Sequence, residues 1–152
     1  MKIDVATIGF TRTSAEGFFG RISQAGVRTV VDVRLHNTSQ LAGFAKADDL
    51  AYFLKAICGV SYVHEPLLAP TEDILKGFRK DKGDWAVYRD RFLALMAERR
   101  IEDRLKPDTL DGACLLCSEA TPHHCHRRLA CEYLDARWGL GGKGGALRVR
   151  HL

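Results

Sequence analysis

Residues 3–8 alternate loosely between apolar and polar side chains and stop at Gly9, while residues 27–33 form a second run rich in β-branched residues. Between them Phe18, Phe19, Ile22 and Ala25 fall on one helical face, which Gly26 closes and Thr13 or Ser14 can open as a cap. This strand–helix–strand opening is the strongest constraint in the chain. Two strands joined by a helix lie parallel in one sheet, and the crossover between them is right-handed. The turn after Gly9 lacks the G-x-G-x-x-G spacing, so it is not a dinucleotide fingerprint.

The later segments repeat the alternation. A polar stretch, 35–46, leads to a helix that starts at Asp48 or Asp49, carries Leu50, Phe53, Leu54 and Ile57, and stops at Gly59. Residues 60–63 predict a third, short strand. Thr71 caps a short helix bearing Ile74, Leu75 and Phe78. Asp84 caps a longer one bearing Trp85, Tyr88, Phe92, Leu95 and Met96. Residues 113–117 are continuously apolar, the mark of a strand buried on both faces of a parallel sheet. A helix follows, then a glycine-rich loop over 139–145, then a last strand over 147–151. The expectation is one three-layer α/β domain over residues 1–152, with a mostly parallel sheet of about five strands flanked by helices.

The bulk properties are those of a globular protein with a modest basic excess: 46% apolar, 28% charged, net charge +4. That excess permits an anionic partner, a small molecule or a nucleic acid, without demanding one. No apolar run approaches the length of a membrane helix. The cysteine count, five, is odd, and residues 1–5 read as the start of a strand rather than a targeting segment. The expectation is a reduced, cytoplasmic setting with no membrane contact.

The densest chemistry lies in residues 114–128, C-L-L-C-S-E-A-T-P-H-H-C-H-R-R. Cys117 ends the apolar strand. Thr121 and Pro122 read as N-cap and first residue of the next helix, which would put Cys125, His126 and Arg127 near its amino end. The carboxyl edge of an open α/β sheet is where ligands bind. A helix amino terminus there favours an anion, and a thiolate over a thiol. A second cluster ends the second strand: Asp32 and Arg34 share a face, with Val33 on the other. Either they form an ion pair closing the sheet end, or Asp32 orients Arg34 toward an anionic ligand.

These motifs resemble the prokaryotic domain of unknown function 488 family. The resemblance rests on Thr7-Ile8-Gly9-Phe10-Thr11, on Asp32-Val33-Arg34 followed by Ser39 and Phe44-Ala45-Lys46, and on Cys117, Glu119, Pro122, Cys125, His126 and Arg127; the closing His151-Leu152 also matches. Asn37 stands where the family carries proline, and Gln40 where it often carries arginine, so an anion-binding loop here is one positive charge short. The resemblance implies a shared fold and site, with no reaction attached and no cofactor specified.

Several chemistries fit. In the first, Gly9, Thr11, Asp32, Arg34, Ser39, Lys46 and Arg127 hold an anion, a nucleotide or nucleic-acid phosphate, and Cys117, Glu119, Cys125 and His126 act on it. A tyrosine-phosphatase-type C-x5-R loop is excluded, because His123 stands where the arginine belongs. Zinc is an alternative, through Cys117, Cys125, His126 and His123 or His124, although the C-x2-C pair present, Cys114 and Cys117, would face opposite ways along a strand. A thiol site, with Cys117 and Cys125 as a reversible disulfide, is another. A non-catalytic nucleic-acid module and purely structural roles complete the set.

Overall fold

The structure is a computed structural model and describes residues 2–38, 43–79, 83–119, 123–139 and 146–152. Its centre is a five-stranded sheet in which every pairing is parallel, in the order β3-β2-β4-β1-β5. The strands are β1 (Ile3–Gly9), β2 (Thr29–Asp32), β3 (Ser61–His64), β4 (Ala113–Cys117) and β5 (Leu147–His151). The helices among the described residues are α1 (Ala15–Ala25), α2 (Ala47–Phe53, running on as a π turn, Leu54–Cys58), α3 (Glu72–Arg79), α4 (Trp85–Arg99), α5 (Ile101–Arg104), α6 (Pro107–Leu110) and α7 (His126–Trp138).

Strand alternation splits the core into two layers. Ala6, Ile8, Val30, Cys114 and Leu116 face Phe18, Phe19 and Ile22 of α1 and Leu50 of α2. Val5, Val31, Ala113, Leu115 and Cys117 face Ile74, Phe92, Met96, Leu129 and Leu134 of the later helices. Cys114 and Cys117 therefore fall in opposite layers, as a strand requires. Chain direction explains the split. From β1 the chain passes through α1 to β2, beyond β4; from β4 it passes through α7 to β5, beyond β1. Right-handed crossovers running in opposite directions put α1 and α7 on opposite faces. The carboxyl ends of β1 and β4, where Gly9 pairs with Cys117, are thus a topological switch point.

Local chemistry sets several boundaries as the sequence predicts. Ser14 caps α1 through Gly17 N, and Gly26 closes it in the left-handed region at φ 69°. Asp84 caps α4 through Ala86 N. Other boundaries differ. β2 is shorter than 27–33, although Val33 N still donates to Leu116 O at 3.0 Å and prolongs the pairing by one bond. β3 lies one residue later than expected. Helix α2 begins at Ala47 with Lys46 in the cap position, and Asp48 and Asp49 sit in the first turn, where the helix dipole favours carboxylates. The largest difference is α7. It begins at His126, not at Pro122, because Cys125 is held extended (φ −137°, ψ 139°) with its sulfur on Cys117. Thr121, Pro122 and the glycine-rich loop 140–145 lie outside the described residues. No described helix is long and apolar enough to cross a membrane.

Gly9 is required by space. A Cβ added there would stand 1.5 Å from the Glu119 carbonyl oxygen and 2.8 Å from Arg127 Nη1. Gly9→Ala is expected to lower the unfolding midpoint in denaturant by the equivalent of about 1–3 kcal/mol or more. Gly20→Ala, in open space on α1, should instead raise it by about 0.5–1 kcal/mol.

Candidate functional site

The loop after β4 folds back over the end of β1. Thr11 N donates to the Ser118 carbonyl at 3.0 Å, the Thr11 hydroxyl donates to the same oxygen, and the Glu119 carbonyl presses onto Gly9. The sequence suggested that the Gly9 backbone was left bare for a ligand. The chain itself fills that space. Thr11 is consumed in the same clamp.

Inside the clamp lies Arg127, with no solvent exposure. Its Nη1 donates to the Glu119 carbonyl at 2.6 Å and to Cys117 Sγ at 3.0 Å, and lies 3.9 Å from Cys125 Sγ; its Nε donates to Thr7 Oγ1 at 3.3 Å. Nη2 is buried without a hydrogen-bond partner among the described residues. Burial draws the guanidinium down to about 10, so it stays charged at neutral pH. Cys117 and Cys125 meet sulfur to sulfur beside it, with Cα atoms 7.6 Å apart. Cys125 is the N-cap of α7, and its side chain does not cap the helix. Glu119 is exposed at the lip.

His126 is the link to the other motif. Its Nε2 lies 2.6 Å from the Val33 carbonyl, which makes it the donor there and anchors the start of α7 to the D-V-R segment, 93 residues earlier. The two motifs therefore touch through main chain. Their charged side chains part company. Asp32 and Arg34 point to the α1 layer, where Arg34 Nε and Nη2 grip Asp32 at 2.8 and 2.7 Å and the guanidinium lies over the Phe10 ring, 5.3 Å from its centre. Arg127, Cys117 and Cys125 lie in the α7 layer. Tyr62 donates to Asp32 Oδ2 at 2.5 Å, and His64 Nε2 lies 2.8 Å from the Arg34 carbonyl. Arg34 Nη1 is buried without a hydrogen-bond partner among the described residues.

Of the remaining sequence candidates, Lys46 is exposed at the start of α2 and Ser39 lies outside the described residues. Three participants were missed. Tyr62 and His64 alternate along β3, a visible pattern, but only the sheet order reveals β3 as the neighbour of β2. Thr7 stood out as a hydroxyl inside an apolar strand. An aromatic group also borders the thiols: Phe78, Trp85 and Tyr88 pack together, and the His124 ring stacks on Trp85 at 4.8 Å. Phe78, Tyr88 and His124, with Cys117, Glu119 and His126, border a cleft of about 20 Å³, room for roughly one water. Among the described residues no three or more His, Cys, Asp or Glu side chains are grouped to hold a metal ion.

Fold and site together define an open, all-parallel α/β domain with an arginine–dicysteine cluster buried at its switch point. Over residues 14–134 the chain matches the family described as domain of unknown function DUF488, and it belongs to that family. Gly9, Thr11 and His151 fall outside the matched residues. No curated protein and no solved structure matches the chain.

The Asp32 network carries a pH signature. Burial, then the Asp32 carboxylate, raises the Tyr62 phenol from 10.0 to about 12. A phenol whose pKa is higher folded than unfolded stabilises the fold fully below pH 10, and that contribution disappears as pH rises from 10.0 through about 12. Tyr62→Phe is expected to remove one late-titrating step from the ultraviolet phenolate signal, leaving that of Tyr133, and to cost about 1.5 kcal/mol at neutral pH in denaturant unfolding.

Proposed function

We propose that the chain carries an anion-recognising thiol site at the switch point, in which Arg127 and the amino end of α7 receive a phosphate group, of a nucleotide or a nucleic acid, and Cys117 is the reacting side chain. The single observation that carries this reading is Arg127: a fully buried guanidinium with one nitrogen on Cys117 Sγ and another without a hydrogen-bond partner among the described residues. A buried cation costs several kcal/mol unless its hydrogen bonds are used. An anionic ligand oxygen meets that need, and the positive end of the α7 dipole adds to it. In the reduced protein the same guanidinium favours the Cys117 thiolate, and the helix dipole does so for Cys125.

The other residues take supporting parts. His126 fixes the start of α7 on Val33, which excludes its Nε2 as a general base while that bond holds. Asp32, Arg34 and Tyr62 hold the D-V-R segment from the opposite face. Exposed Glu119 at the lip is the candidate proton donor or acceptor. A ligand larger than water must part the clamp, and the stacked His124 is the exposed element of its aromatic wall.

A second reading rests on the contact between the two sulfurs. Two thiols so placed give up two protons and two electrons to a two-electron oxidant and close a disulfide, which a thiol reductant reopens by exchange. Both readings use the same pair, and a disulfide would switch the thiol chemistry off.

Calorimetric titration of the reduced protein with inorganic phosphate and with mononucleotides tests the first reading. Binding is expected in wild type and is expected to weaken about ten- to a hundredfold in Arg127→Lys, which keeps the charge and loses the planar fork. Cys117, followed by alkylation against pH, is expected to react as a thiolate below the ordinary thiol range near 8.5. No binding together with an ordinary alkylation profile would sink the proposal, and so would stoichiometric zinc in protein purified without chelator. Binding confined to long nucleic acid, with a steep salt dependence, would replace the small-ligand form with a nucleic-acid one.

A further inference from the structure

His151 lies outside the cluster of Arg127, Cys117 and Cys125, yet it reaches Arg127 through two hydrogen bonds. His151, the last residue of β5, pairs in register with Thr7 of β1, and its Nδ1 lies 2.6 Å from Thr7 Oγ1. The same hydroxyl oxygen accepts from Arg127 Nε at 3.3 Å, and Arg127 Nη1 donates to Cys117 Sγ at 3.0 Å. The chain runs from a solvent-exposed imidazole, through a fully buried threonine and arginine, to the Cys117 sulfur at the switch point.

Donor arithmetic fixes its direction. Arg127 Nε only donates, so Thr7 Oγ1 accepts from it. The one proton on Thr7 Oγ1 is then free to go to His151 Nδ1, which requires a neutral imidazole with its proton on Nε2. Were His151 protonated, both Nε of Arg127 and Nδ1 of His151 would donate to one buried oxygen, and the Thr7 proton would lose its partner, a costly arrangement. The charges around His151 act in the same sense. Partial desolvation of the ring edge against Thr7 leads the balance that lowers the imidazole below 6.5; Arg127 and Arg128 of α7 oppose a third positive charge, while Glu132 favours it. From the same helix Asp135 also borders the small pocket beside the ring, and from α1 Arg21 reaches the Leu152 carbonyl at 3.1 Å.

We propose that His151 is a positioning residue for the Cys117 thiol: neutral His151 accepts a hydrogen bond from the Thr7 hydroxyl at Nδ1, Thr7 thereby turns its oxygen to Arg127 Nε, and the planar guanidinium so fixed presents Nη1 to Cys117. The guanidinium is rigid, so an error at Nε becomes an error at Nη1. This inference rests on the reading of Cys117 as a reactive thiol, and it adds a control that this reading lacks. Surface pH reaches the buried sulfur by reorienting its hydrogen-bond partner.

The test is a pH titration of the full reduced chain carrying ¹³Cβ-labelled cysteine, with the Cys117 resonance assigned by its loss in Cys117→Ser. In wild type the Cys117 midpoint is expected below the ordinary thiol value near 8.5, with a second, smaller inflection where His151 titrates. Thr7→Val and His151→Ala are each expected to raise the Cys117 midpoint by about 0.5–1 pH unit and to abolish the smaller inflection. Thr7→Ser, which keeps the hydroxyl, is expected to restore both. His151 is exposed, so His151→Ala tests the link without disturbing the core even where Thr7→Val fails to fold. A depressed wild-type midpoint that neither His151→Ala nor a folded Thr7→Val moves overturns the positioning role and leaves the thiol reading standing. An ordinary wild-type midpoint overturns both.

Discussion

A guanidinium buried without exposure at the end of a parallel sheet sets the terms for everything around it. Arg127 cannot shed its charge at neutral pH, so its donors must find acceptors inside the protein. Thr7, Cys117 and the Glu119 carbonyl supply them for Nε and Nη1, while Nη2 has none among the described residues. Each comes from a different constraint. Thr7 is there because β1 alternates, Cys117 because β4 ends there, and Glu119 because the loop doubles back over Gly9. A side chain at position 9 would push that loop away and strip the guanidinium of its shortest hydrogen bond. Gly9 is therefore a packing requirement, set by the same carbonyl that Arg127 needs.

The two signature motifs divide the labour across the sheet. Asp32 and Arg34 pair with each other, with Tyr62 also on the carboxylate, in the layer of α1 and α2. Cys117, Cys125 and Arg127 face one another in the layer of α7. The histidine between them spans the two, since its ring reaches the Val33 carbonyl on the strand that carries the aspartate. The D-V-R ion pair thus acts as a brace. It fixes the carbonyl that fixes the helix start, and the helix start delivers Cys125 and Arg127. Coupling of this kind needs no shared cavity, only a main-chain oxygen held in place from both sides.

Much of this was legible along the chain. The strand–helix–strand opening pointed to a parallel sheet by itself, because parallel strands need a crossover of that length and a helix supplies it. Ser14, Gly26, Thr71 and Asp84 marked helix ends through short-range chemistry that needs no tertiary partner. The gathering of Cys117, Cys125, His126 and Arg127 was legible for the same reason: eleven residues of loop and helix start cannot carry them far apart. The α7 boundary failed because Thr-Pro is a local signal, and a long-range contact, the meeting of Cys125 with Cys117, holds the cap residue extended.

What only the tertiary structure decided is anything that depends on which strand lies beside which. Strand order is set by the handedness and direction of crossovers summed over the whole chain, and no window of residues contains it. That order put β5 against β1, and so His151 against Thr7; it put β3 against β2, and so Tyr62 beside Asp32. It also sent the two arginines to opposite faces, although their motifs read alike as anion-seeking. The sequence by itself determined which polar and sulfur side chains gather at the end of β4 and that the sheet is parallel, since both follow from residue type and spacing. Which of those side chains meet was left to the topology, because hydrogen bonds a few ångströms long between residues a hundred positions apart exist only once the sheet has closed around them.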